Sequence, residues 1–277
     1  MTPDQYSQQK AAASGSSFYY AFLFLPPERR RAITALYAFC REVDDVVDEA
    51  TDPQLAQTRL AWWRAEVGRL LEGDPQHPVT RALAPAVRQF GVTAERLGEI
   101  IDGMEMDLTQ SRYLDFAGLE RYCYRVAGVV GLLSAGIFGY RDARTLEFAK
   151  DLGIAFQLTN IIRDVGEDAR KNRIYLPLED LKTYGVTAAD ITGARYGEAF
   201  VELMRFQTRR AGAYYDKALA ELPEEDRRAQ RPGLIMAAIY RTLLAEIERD
   251  GFKVLDRRIS LTPLRKLWIA WKTWVSA

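Results

Sequence analysis

Tyr37-Ala38-Phe39-Cys40-Arg41-Glu42-Val43-Asp44-Asp45-Val46-Val47-Asp48 is the stretch on which the reading of this chain turns. On a helix, Tyr37, Arg41, Asp44 and Asp48 are four, three and four residues apart and share one face. That stripe joins an aromatic ring, a guanidinium and two carboxylates, while Val43, Val46 and Val47 lie elsewhere on the helix and can pack. A chain this acidic produces an acid-acid-x-x-acid string about 0.7 times by chance. Alone, the stripe is compatible with a plain solvated face, so a second stretch has to decide.

The second stretch is Gln157-Leu158-Thr159-Asn160-Ile161-Ile162-Arg163-Asp164-Val165-Gly166-Glu167-Asp168. Asn160, Asp164 and Asp168 stack at four-residue steps, with Gln157 and Glu167 close to the row and Ile161, Ile162 and Val165 facing elsewhere. Its donors are amide and carboxylate oxygens, with no thiol or imidazole nearby. Hard oxygen ligands on two rigid supports select Mg²⁺, or Mn²⁺, which keeps several waters and shares phosphate oxygens. Two acidic stripes, each flanked by arginine, then hold ions that bind a diphosphate. Arg41, Arg163 and Arg173 supply charge-assisted hydrogen bonds to its other oxygens. A helix–helix salt-bridge layer would explain the charges, but not the clustering of acids on one face of each helix with an asparagine in register.

Composition sets the bounds. The chain has 277 residues, 48% of them hydrophobic, with 38 basic and 38 acidic side chains and a formal net charge of zero. That supports a sizeable core. It argues against general nucleic-acid binding, which needs a basic footprint, and leaves room for a local basic pocket. Cys40, Cys123 and the single His77 make neither a disulfide framework nor a zinc site, so a reducing cytoplasm is the simplest compartment. No secretory signal is visible in the polar Met1–Lys10 stretch, and no apolar run reaches spanning length.

Punctuation divides the chain into helices. Thr2, Pro3 and Gln5 read as a capped start, broken at Ser14-Gly15-Ser16-Ser17. Pro26-Pro27 opens the helix carrying the first stripe, and Asp52-Pro53 opens another through about Leu71. After the turn at Gly73–Pro78, helices are expected at 79–90 and 94–111. The apolar run 119–138 carries glycines at 128, 131, 136 and 139, spaced for neither a dinucleotide nor a phosphate loop. They imply close packing, a kink, or backbone bordering a cavity. Helices follow over 145–168, 195–222 and 232–250, and no alternating strand pattern occurs. The expectation is one all-α domain over residues 1–277. The last helix, 262–277, mixes Leu264, Leu267, Trp268, Trp271, Trp274 and Val275 with Arg265, Lys266 and Lys272. It fits an interfacial membrane anchor, or a terminal helix docked on its own core, the reading preferred from sequence.

With these residues in view, the chain resembles the squalene/phytoene synthase family of head-to-head prenyl synthases. The resemblance rests on Ser17-Phe18 with Tyr20, the Tyr37–Asp48 stripe, Tyr124-x-Val126-Ala127-Gly128, the Gln157–Asp168 stripe and Arg173-x-Tyr175-Leu176-Pro177. Phe18–Asp48 and Arg231–Arg241 resemble the bacterial branch that makes presqualene diphosphate for hopanoids.

The resemblance implies an isoprenoid synthase helical bundle with a central cavity, joining two farnesyl diphosphates with two or three Mg²⁺ ions and without NADPH. It implies that Asp44, Asp48, Asn160, Asp164 and Asp168 bind metal. Ser14, Gly15, Ser16, Ser17, Tyr37, Arg41, Gln157, Arg163 and Tyr240 would contact substrate, with Arg173, Tyr175 and Arg258 as further diphosphate contacts and residues 14–17 as a lid. The departed diphosphate, Tyr124 or Tyr37 would take the proton lost on ring closure. Asp107 reads equally as cavity lining or surface acid. The location implied is cytoplasmic, peripheral on the inner membrane face if 262–277 is an anchor, with a downstream squalene-forming enzyme as partner. Competing readings are a phytoene synthase using two C20 chains, a squalene or dehydrosqualene synthase, and a catalytically silent helical partner protein; the intact acidic positions disfavour the last.

Overall fold

Proline and glycine set most of the boundaries seen in the computed structural model, which describes residues 1–13, 18–50 and 52–276, the side chain of Tyr19 excepted. Among these residues there are fourteen α-helices and no strand. They are α1 (Pro3–Ala13), α2 (Phe18–Phe22), α3 (Pro27–Asp48), α4 (Pro53–Glu72), α5 (Pro78–Phe90), α6 (Ala94–Thr109) and α7 (Phe116–Cys123). After these come α8 (Val129–Phe138), α9 (Arg144–Arg170), α10 (Leu178–Thr183), α11 (Ala188–Thr192), α12 (Glu198–Glu221), α13 (Arg231–Arg249) and α14 (Pro263–Ser276). Local chemistry explains the ends. Asp52 caps α4 by accepting from the Gln54 amide, and Gly73 closes it in the left-handed region at φ 88°. Thr93 and Asp115 cap α6 and α7 in the same way.

The expected all-α architecture is what the chain adopts. Its long central element is α9, 27 residues or about 40 Å at 1.5 Å per residue. Helices α7, α8, α12 and α13 pack around α9, while α1, α4, α5, α6 and α8 pack on α3. The buried apolar side chains form one contiguous cluster reaching from α2 to α14.

The apolar run 119–138 is not one helix. Tyr124–Gly128 forms a π-helical turn between α7 and α8. Backbone crowding accounts for its small residues: a Cβ on Gly131 would lie 2.1 Å from the Ala149 carbonyl oxygen of α9. Close packing and a cavity-bordering backbone, both anticipated for these glycines, coincide there, since Gly131 also lines the central cavity.

Two connections matter for the site. An isolated parallel bridge pairs Arg112 with Ile174, and the Leu178 amide donates to the Tyr113 carbonyl at 2.9 Å, fixing the segment that carries Arg173 and Tyr175. After α13 the chain turns back across α9, where the Arg170 guanidinium donates to the Leu255 carbonyl at 3.0 Å. A Cβ at Gly166 would sit 2.0 Å from that carbonyl oxygen, so this crossing requires glycine. We predict that Gly166→Ala lowers stability by about 1–3 kcal/mol, the usual cost of overpacking. Urea unfolding measures this, and an unchanged midpoint would show that the crossing relaxes freely.

Candidate active site

Both acidic stripes occupy the C-terminal halves of their helices and face one cavity of about 700 Å³. Tyr37, Arg41, Asp44 and Asp48 line it from α3, and Gln157, Asn160, Arg163, Asp164 and Asp168 from α9. Arg173, Tyr175, Tyr240 and Arg258 join them from other elements. The rest of the wall is largely apolar, including Phe18, Phe22, Phe138, Phe148 and Phe156.

Arginines hold most of the carboxylates in place. Arg41 forks across Asp44 and Asp45 at 2.7 and 2.8 Å. Arg173 reaches from beyond α9 to Asp48 on α3 at 2.8 Å, joined by Lys171 at 3.3 Å. Asp164 accepts from Arg163 at 2.7 Å and pairs with Arg258 at 3.0 Å. Tyr240, buried on α13, lies close to Arg163 and packs on Phe156, with ring centroids 4.9 Å apart.

The charge balance differs along the stripes. Burial pushes the Asp44 carboxyl up to about 6 against the pull of Arg41. Partial burial also acts on Asp48, but the hydrogen bond from Arg173 and the nearby Lys171 hold it below the usual carboxylate range. Asp168 is pushed up to about 7, by burial first and then by Asp164 and Glu167.

The donor set fits hard divalent cations. Asn160 Oδ1 is buried without a hydrogen-bond partner, in register with Asp164 and Asp168. Its amide nitrogen is held by Gln157 Oε1 at 3.3 Å, which leaves the oxygen as the free ligand. An orphaned acceptor beside a crowded carboxylate is electrostatically incomplete without a cation. Among the described residues no three Asp, Glu, His or Cys side chains converge as a ready-made metal cage. An ion held here would therefore complete its shell with water or substrate oxygens, as Mg²⁺ commonly does.

One sequence-based expectation needs correction. Tyr124 does not line the cavity. It sits in the π-helical turn, packs beside Gly128 and lies near Glu99 of α6. Tyr122, two residues earlier on α7, faces the cavity instead. Sequence reasoning followed the resemblance to Tyr124 and missed Tyr122, although its four-residue spacing from Val126 was a usable signal. The Tyr122 and Tyr175 hydroxyls donate to the two oxygens of Asp107 at 2.9 and 2.8 Å, which makes Asp107 cavity lining rather than surface acid. Lys171 and Lys266 also line the cavity and were not anticipated. Ser14, Gly15, Ser16 and Ser17, read as a lid, lie outside the described residues.

The squalene/phytoene synthase family model matches residues 11–265. The chain belongs to this family. It is 36% identical over 256 residues to the phytoene synthase of Arthrospira platensis, a match covering 88% of this chain and 83% of that protein. Of the chloroplastic phytoene synthase of an Oncidium hybrid cultivar, 37% identical, the chain spans 61%. Among solved structures, a dehydrosqualene synthase bound to a ligand superposes with a TM-score of 0.85 at 30% identity, covering 99% of this chain and 98% of that one. The squalene synthase HpnC of Alicyclobacillus acidocaldarius gives 0.80 at 27% identity, covering 90% and 94%. Isoprenoid-synthase helical architecture and family membership thus agree.

Asp107 offers a test of the cavity's electrostatics. Burial pushes its carboxyl up to about 6 despite the hydroxyl and Arg173 contacts. An unfolded aspartate titrates near 3.9, so the folded chain binds this proton more tightly. The resulting stabilisation is present at low pH and is lost as pH rises from about 4 through about 6. Thermal melts at pH 5 and pH 8 should therefore show a larger loss of Tm for wild type than for Asp107→Asn. Equal losses would contradict the recessed placement.

Proposed function

We propose that this protein condenses two farnesyl diphosphates head to head, giving presqualene diphosphate and free diphosphate. The observation that carries the proposal is the pairing of two acid stripes with an apolar, aromatic-walled cavity between the same two helices. Charged ends and hydrocarbon tails each have a matching surface.

Asp44, Asp48, Asn160, Asp164 and Asp168 would hold Mg²⁺, which on binding supplies the electron withdrawal that makes diphosphate a leaving group. Arg41, Arg163, Arg173, Lys171 and Arg258 supply hydrogen bonds to diphosphate oxygens, exchanging their present carboxylate partners for them. Phe18, Phe22, Phe138 and Phe156 exclude water that would trap the allylic cation as an alcohol, and their ring faces favour positive charge. The 2,3 double bond of the second substrate attacks C1 of that cation, and loss of a proton closes the cyclopropane. Asp107 is the base this wall offers for that proton, with the Tyr122 and Tyr175 hydroxyls orienting it. No reductant enters these steps.

The fifteen-carbon substrate rests on the resemblance of Phe18–Asp48 and Arg231–Arg241 to the presqualene-forming branch. A second reading, condensation of two C20 chains to phytoene, is favoured by the phytoene synthases among the 36–37% identical relatives.

Incubation with Mg²⁺ and farnesyl or geranylgeranyl diphosphate, with and without NADPH, followed by product mass analysis, separates these readings. Presqualene diphosphate that persists with NADPH is the expected product. A C40 product would favour the second reading. Asp44→Asn or Asp164→Asn should lower Mg²⁺-dependent turnover by about a hundredfold or more, given what a lost electrostatic contact costs at a reacting centre. Far-UV circular dichroism should stay unchanged, and full activity in either variant would remove that residue from the metal site.

A further inference from the structure

Helix α14 is apolar on two opposite sides, and only one of them is used by the fold. Ile269 and Ala270 are buried, and Trp274 packs inward beneath Arg231, 4.9 Å from its ring. These contacts dock α14 on α13 and α2. On the other side, Leu264, Trp268, Trp271 and Val275 follow at four, three and four residues, a single stripe pointing away from the docked face. They are 80%, 57%, 59% and 65% exposed. Phe24, stacked 4.9 Å from Trp274, extends the exposed apolar surface past the end of α2.

We propose that α14 seats the protein on anionic lipid bilayers, lying in the interface with this outer stripe inserted. Two observations select a bilayer over a second copy of the chain. The helix carries Arg265, Lys266 and Lys272 and no acid. Lys272 lies over the exposed Trp268 ring at 5.2 Å, the aromatic-and-cation pairing that suits a phosphate-bearing interface. Arg265 is tied to Glu246 of α13 at 2.7 Å, which steadies the helix, and Lys266 faces the cavity. Two copies meeting stripe to stripe would bring their lysines together. The area is also small: about 21 Å of helix about 10 Å wide offers roughly 200 Å², against the roughly 800 Å² per partner of a stable protein interface. A membrane needs only depth of insertion from a few aromatic side chains.

The placement has a consequence for substrate traffic. Lys266 and Leu261 line the cavity while Trp268 and Trp271 face outward, so the seated helix separates lipid from cavity by about one helix diameter, roughly 10 Å. This inference holds for either prenyl chain length.

Flotation of the purified full chain with phosphatidylcholine vesicles, with or without about a third of anionic phosphatidylglycerol, tests it. Wild type should float with the anionic vesicles and much less with neutral ones. Trp268→Ser combined with Trp271→Ser should weaken partitioning by about tenfold or more, with helical circular dichroism and turnover of detergent-dispersed substrate retained. Lys272→Glu should remove the anionic preference, and Leu264→Ser serves if the double variant fails to fold. Wild type failing to float with anionic vesicles would overturn the proposal, as would a folded double variant, or a folded Leu264→Ser in its place, floating as well as wild type. A stripe-dependent dimer in light scattering, without flotation, would assign the face to a second copy instead.

Discussion

Negative charge concentrated at the C-terminal ends of two helices is the constraint that organises this molecule. Asp44 and Asp48 close α3, and Asp164 and Asp168 lie in the last two turns of α9. The peptide dipoles already place partial negative charge at each last turn, so Asp48 and Asp168 work against their own helices by about 0.3–1 kcal/mol. Helix stability alone would favour lysine or arginine at these positions. The folded chain answers with arginines drawn from other parts of the sequence. Arg173 crosses to Asp48, and Arg258 comes back over α9 to Asp164. Asp168 and the Asn160 oxygen are left without such an answer. A cation between the helices would meet both needs.

Much of this was legible in the sequence because helical phase is a local property. Four-residue steps were enough to put Asn160, Asp164 and Asp168 on one face, and proline and glycine located most helix ends within a few residues. What local phase cannot convey is a change of phase. The chain changes phase through the π-helical turn at Tyr124–Gly128, beside which Gly128 and Gly131 lie against carbonyls of α9. Gly166 is a single glycine within the second stripe. Its role appears only when Leu255, far along the chain, crosses above it.

The C-terminal helix shows another limit of sequence patterning. Spacing alone presented anchoring at a membrane and docking on the core as competing descriptions, because both require an apolar stripe. Trp274 and Ile269 serve docking while Trp268 and Trp271 remain outside, so one helix carries two stripes. Deciding which stripe meets the protein requires knowing where α13 and α2 lie, which is tertiary information.

Division of labour along α9 explains how one scaffold supports related reactions. On the proposed function the charged end from Gln157 to Asp168 would deal with diphosphate, whatever hydrocarbon is attached. The apolar lining from Phe148 to Phe156 would meet only the hydrocarbon chain. Along the oily half the lining side chains carry no charge with which to take up a diphosphate. Shape and volume therefore govern there, and a methylene more or less is worth only about 1–3 kcal/mol. On that reading reaction type would be a property of the acid stripes and chain length a property of the aromatic wall. A family that keeps the first can change the second without disturbing the charge balance that the helix ends require.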